Sequence, residues 1–85
     1  EAARLKAMGV QAGVSDLLLA VPNRHAAGLW IELKAGKNKP TASQLAWLSR
    51  MRAAGYSAVV CRTLDEVVEA VQGHLEGRHC VTTST

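Results

Sequence analysis

Thr41-Ala42-Ser43-Gln44 has the pattern of a capping box, and the residues after it read as a helix to about Ala54, stopped by Gly55. On each side of this helix stands a run suited to a strand: Leu29-Trp30-Ile31-Glu32-Leu33-Lys34-Ala35 before it and Tyr56-Ser57-Ala58-Val59-Val60-Cys61-Arg62 after it. Two strands joined through a helix are expected to lie parallel, connected by a right-handed crossover. That unit places the chain in the α/β class.

A third apolar run precedes the unit. Strand one is expected from Ser15 to Val21, ended by Pro22-Asn23, and the turn-like stretch to Gly28 returns the chain into strand two as an antiparallel hairpin. Thr63-Leu64-Asp65-Glu66 is a second capping-box pattern, opening a last helix with Val67, Val68, Ala70, Val71 and Leu75 on its apolar side and its end near Gly77. Glu1 to Met8 reads as the end of a helix, stopped by Gly9. The expected architecture is a small mixed sheet, an antiparallel hairpin plus a parallel crossover strand, flanked by helices. Residues 1–77 form one domain, and residues 78–85 have no period and are expected to be a disordered tail.

Strand two carries an anomaly. Alternation puts Glu32 and Lys34 on one face, with Ile31 and Leu33 turned into a core. Residues opposite each other in an antiparallel pair share a face, so Asp16 and Leu18 are expected beside the even-numbered residues of strand two. A loop centred near His25 pairs Leu18 with Glu32 and Asp16 with Lys34.

Charge is distributed unevenly. Between Ala2 and Leu64 the only acids are Asp16 and Glu32, against nine bases: Arg4, Lys6, Arg24, Lys34, Lys37, Lys39, Arg50, Arg52 and Arg62. That pattern suits a polyanion meeting a localised cation site, or simply a solvated basic face. On the middle helix Leu45, Leu48, Met51 and Ala42 make the expected buried stripe, with Arg50 and Arg52 outside it. No apolar run approaches the roughly 18 residues of a membrane span, and no signal-peptide pattern is present, so no membrane association and a cytoplasmic location are expected. Cys61 sits in an apolar run as a buried thiol.

Phosphodiester hydrolysis needs charge neutralisation at the phosphate, an activated water and help for the leaving oxygen. Carboxylates holding Mg²⁺ or Mn²⁺ supply these, and a neighbouring lysine can orient or deprotonate the water or stabilise the added charge. Asp16, Glu32 and Lys34 are the right residue types. They fit equally a cross-strand ion-pair cluster on a solvated sheet face.

The run Gly9-Val10-Gln11-Ala12-Gly13-Val14-Ser15-Asp16-Leu17, then Ile31-Glu32-Leu33-Lys34, Gln44-Leu45-Ala46-Trp47 and Gly55-Tyr56-Ser57-Ala58-Val59-Val60, resembles the virus-type replication-repair nuclease (VRR-Nuc) domain, a branch of the PD-(D/E)xK nuclease superfamily. The resemblance spans Arg4 to about Leu75. It implies a restriction-endonuclease-like core, metal ligation by Asp16, Glu32 and the Leu33 backbone carbonyl, a catalytic Lys34, and Gln44 leading its helix towards the site. It also implies action on DNA with Mg²⁺ or Mn²⁺, branched or Holliday-junction-like substrates, and a homodimer in the cytoplasm of a bacterium or phage-infected cell. Ser15 stands where the family usually has proline, a change that affects the strand entry rather than the metal. A further acidic residue on an upstream helix is implied, and Glu1 is poorly spaced to be it.

Other residues carry competing roles. Gln44 is explained structurally as the third residue of a capping box and functionally by the resemblance. Trp47 and Tyr56 are expected in a core or interface rather than as base-stacking platforms, and His25 as a turn residue. His74, His79 and Cys80 match no common zinc spacing. Lys37 and Lys39 stand close enough to Glu32 and Lys34 to contact phosphate, with Arg24 a third candidate contact. The expected function is a metal-dependent, structure-selective DNA endonuclease; the alternative is a catalytically inactive nucleic-acid-binding module of the same fold.

Overall fold

The computed structural model describes residues 15–78. The expected helix over Glu1–Met8, the segment Gly9–Val14, and His79, Cys80 and the tail beyond them lie outside the described residues. Five elements follow in the order β1 (Leu17–Leu19), β2 (Leu29–Leu33), α1 (Ala42–Ala53), β3 (Ser57–Cys61) and α2 (Leu64–Leu75). β2 is central, antiparallel to β1 and parallel to β3. The mixed sheet with a crossover strand is thus as the sequence implies.

The two faces of the sheet separate by residue parity. Leu29, Ile31, Val59 and Cys61 pack with Leu19 against Val67, Ala70 and Val71 of α2. Ala58 and Val60 pack with Trp30 against Leu48 and Trp47 of α1. The helices therefore lie on opposite faces of the sheet over β2 and β3, and β3, sandwiched between them, is buried along its whole length. Trp30 holds the α1 face through edge-on contacts with Trp47 at 5.5 Å and Tyr56 at 6.2 Å. Trp47 and Tyr56 are half-buried, both packed edge-on to Trp30.

Several local expectations change. β1 is shorter than Ser15–Val21, because the Val21 carbonyl is taken by the Nε2 of His74 instead of by β2. The hairpin register is also displaced by two residues: Leu18 faces Trp30, not Glu32, and Leu17 faces Ile31. The cause lies in the connecting loop. Asn23 Oδ1 accepts from the backbone N–H groups of His25 and Ala26, at 2.7 and 2.8 Å, which tightens the turn around Arg24. Gly28 lies so close to strand one that a Cβ there would stand 3.0 Å from the Leu19 carbonyl oxygen. An even shift preserves side-chain parity, so the faces survive.

On α1, Leu48 is the fully buried residue, while Leu45 and Ala42 are exposed. Arg52 belongs to the packed side after all: its Nε and Nη2 donate to the Ala58 carbonyl at 3.3 and 2.9 Å, satisfying an acceptor on the edge of β3 that faces away from β2. Leu33 lies on the expected face but beyond the cover of α2, and is 43% exposed. The second capping box is only half formed. Thr63 Oγ1 accepts from Glu66 N, but the Glu66 carboxylate turns to Arg62 N at 2.6 Å. Val68 and Leu75 are exposed, and His74 is instead the residue that α2 buries most completely.

Candidate active site

Glu32 is 1% exposed, although it belongs to the one strand segment that carries charge. Strand alternation turns it under the first turn of α1, where Gln44 stands. Thr41 caps that helix in the anticipated reciprocal manner: Gln44 N donates to Thr41 Oγ1 and Thr41 N donates to Gln44 Oε1 at 2.8 Å. With its oxygen so engaged, the Gln44 amide has its nitrogen left for Glu32 Oε2, to which it donates at 3.0 Å. The structural and functional roles weighed for Gln44 are therefore one role. The cap fixes which end of the amide meets the carboxylate.

The displaced hairpin register brings Asp16 level with Glu32 rather than with Lys34. Asp16 Oδ2 accepts from Leu33 N at 2.8 Å, continuing the β1–β2 ladder with a side chain just before β1 begins. On β2 the backbone of Lys34 bonds across to Cys61 of β3, so Leu33, one residue earlier, presents its N–H and carbonyl to the opposite edge, where Asp16 sits. Lys34 shares the face of Glu32; its Nζ lies 3.9 Å from Glu32 Oε2, and its side chain is 18% exposed. Asp16, Glu32, Lys34, Gln44 and the Leu33 backbone thus meet at one end of the sheet. Lys37 and Lys39 are exposed on the loop that leaves this same end. Arg24 is not part of the group. It lies in the hairpin loop at the other end of β2, with its guanidinium beside Gly77.

The electrostatics follow from this packing. Burial pushes the Glu32 carboxyl above its ordinary value of 4.5, the Asp16 carboxylate beside it pushes it further, and Lys34 opposes the rise. Glu32 Oε1 is buried with no hydrogen-bond partner, a condition that costs about 1–3 kcal/mol unless something binds the oxygen. Two adjacent carboxylates, one of them with a bare buried oxygen, beside a main-chain carbonyl, form a hard-oxygen donor set that fits a divalent cation. Among the described residues there is no group of three or more His, Cys, Asp or Glu side chains that could hold a metal. A Mg²⁺-type ion needs no more than one or two carboxylates, since it keeps several waters.

A stability prediction follows with a definite sign. A carboxyl whose folded-state pKa is raised binds its proton more tightly folded than unfolded. In metal-free protein, Glu32 therefore lowers stability as pH rises from about the unfolded value through the raised folded one. Denaturant midpoints measured with chelator across pH 4–8 are expected to show this loss relative to Glu32→Gln. Parallel profiles for the two proteins would rule it out.

Sequence reasoning passed over two residues. His74 was legible in principle, because the spacing Val67, Val71, His74 continues the buried stripe of α2. Arg62, which binds the loop of Lys37 and Lys39, had no sequence signal, since its partners are main-chain carbonyls.

Comparison with known proteins agrees with this geometry. The family model of the VRR-NUC domain matches residues 1–65. A solved structure described as a VRR_NUC domain protein is similar with a TM-score of 0.80 and 32% sequence identity, over 99% of this chain and 70% of that one. The comparison with curated proteins found no match. Matched over most of its length by the family model, and sharing the fold of a solved VRR_NUC domain, the chain belongs to the VRR-NUC domain family, whose function is of the nuclease type.

Proposed function

We propose that this chain is the catalytic core of a divalent-metal-dependent DNA endonuclease selective for branched DNA, acting as a homodimer in the cytoplasm. The observation that carries the proposal is the bare buried Oε1 of Glu32, whose carboxylate is set beside Asp16 and held through its other oxygen by Gln44. A simple ion-pair cluster would leave its carboxylates solvated or fully paired, since an unsatisfied buried oxygen is costly.

Asp16, Glu32 and the Leu33 carbonyl would hold Mg²⁺ or Mn²⁺. When bound, such an ion neutralises phosphate charge and makes a water more acidic. The chain's own residues do the rest. Gln44 keeps Glu32 Oε2 fixed so that Oε1 remains available. Lys34, close to Glu32 and still partly exposed, can orient the attacking water or donate a hydrogen bond to the phosphate as negative charge builds. Lys37 and Lys39 lie on the solvent side of the same end, where they neutralise neighbouring phosphates. Selectivity for branched structure is drawn from the family and from the lack of a base-reading motif.

The test is incubation with labelled four-way junction and linear duplex, with Mn²⁺, with Mg²⁺ and with chelator. Metal-dependent cleavage, faster on the junction, is expected, and Lys34→Ala should reduce it about 100-fold or more while leaving DNA affinity within a few-fold. Tight DNA binding with no cleavage in any metal would instead identify an inactive binding module.

A further inference from the structure

Arg62 follows β3 directly and so stands at the end of the sheet where Leu33 and Cys61 pair, next to the departing loop of β2. Its Nη1 donates to two carbonyls of that loop, Gly36 at 3.2 Å and Asn38. Within the loop Asn38 N bonds to Ala35 O at 3.1 Å, and the chain turns through Gly36 at a φ of +56°. Arg62 is in turn anchored, because its own backbone N–H is held by the Glu66 carboxylate in the first turn of α2. One guanidinium nitrogen therefore ties the carbonyls on both sides of Lys37 to the rigid part of the fold.

We propose that Arg62 is a positioning residue for nucleic-acid binding: it pre-shapes the loop of residues 36–39 so that Lys37 and Lys39 meet backbone phosphates without first losing chain freedom. The proposal rests on the nuclease reading above. Glycine, asparagine and two lysines have little intrinsic order, and fixing the backbone of one such residue costs about 1–2 kcal/mol. A loop ordered before the encounter does not subtract that cost from its phosphate contacts. Lysine cannot replace arginine here. Two separated carbonyls are held by the fixed in-plane hydrogens of a guanidinium, whereas an ammonium on a flexible stem holds them less rigidly.

Arg62→Lys separates positioning from charge, since it keeps the charge and loses the fork. In the presence of chelator, to prevent cleavage, fluorescence anisotropy with a labelled duplex is expected to show Arg62→Lys weakening binding about 3- to 10-fold. Combined with Lys37→Ala and Lys39→Ala, it should add much less than its separate effect, because those lysines are what it positions. Amide exchange at Asn38 should speed up in Arg62→Lys even without DNA. Unchanged affinity in Arg62→Lys, a fully multiplicative effect with the lysine variants, or unaltered exchange at Asn38 would each overturn the proposal. Wild-type protein that binds no DNA would refute the nuclease reading instead, and the exchange result would still report on the clasp by itself.

Discussion

Glu32→Gln is expected to remove cleavage, by about 1000-fold or more, while leaving the protein at least as stable as before at neutral pH and above. The two halves have one cause. Glu32 Oε2 receives the Gln44 amide, and a glutamine oxygen can receive it equally well, so the link to α1 survives. What disappears is a buried negative charge beside Asp16, held against burial and against its neighbour. The charge has a cost in the metal-free fold and a use when a cation is bound, which is the usual relation between stability and function at such sites. Mn²⁺ should raise the melting temperature of wild-type protein, by linkage, and not that of Glu32→Gln. Retained cleavage in Glu32→Gln, or a large loss of its stability, would show that the carboxylate is structural.

His74→Ala is expected to destabilise the fold by about 2–4 kcal/mol, a loss on the order of 10–20 °C in melting temperature for a domain this small. His74 is fully buried near the end of α2, in contact with the hairpin loop. Its ring satisfies two groups in concert. The Val21 carbonyl can only accept, so Nε2 carries a proton, and Nδ1 is left to accept from Asn23 Nδ2 at 3.2 Å. Asn23 has its oxygen committed to His25 N and Ala26 N, and its amide nitrogen also reaches the His74 carbonyl at 3.0 Å. Removing the ring leaves a cavity and strands buried polar groups that cannot all find water. The same network sets the tight turn that slides Asp16 level with Glu32. His74→Ala should therefore weaken metal binding as well as stability, whereas cavity-forming substitution of Val71, on the same helix, should lower stability alone. Thermal denaturation with and without Mn²⁺ separates the two outcomes. Equal metal-induced stabilisation in both variants would exclude any effect of the network on the site.

Much of the site was legible because its signals are local. Glu32 and Lys34 share a face by strand parity, and parity does not depend on register to within an even shift. The capping box at Thr41 and Gln44 is written within four residues, and both of its halves form. The strand–helix–strand order leaves β2 and β3 parallel whatever the rest of the molecule does. The unread parts are those whose partners lie far along the chain. Arg52, Arg62 and His74 bond main-chain carbonyls at Ala58, Gly36, Asn38 and Val21, and a carbonyl has no letter in a sequence. Arg24 shows the opposite relation. Its charge suggested the basic surface, but hairpin geometry carries it to the far end of the sheet.

By itself, then, the sequence determined the element order, the mixed pairing of the sheet and the residue types at the candidate centre, because short-range periodicity and capping chemistry specify them. Tertiary structure alone decided that Asp16 stands beside Glu32 instead of Lys34, and that one oxygen of Glu32 is buried and bare. Those two facts depend on a turn fastened by His74 and on a helix laid over the strand, and neither distance nor desolvation exists until the chain has closed around the site.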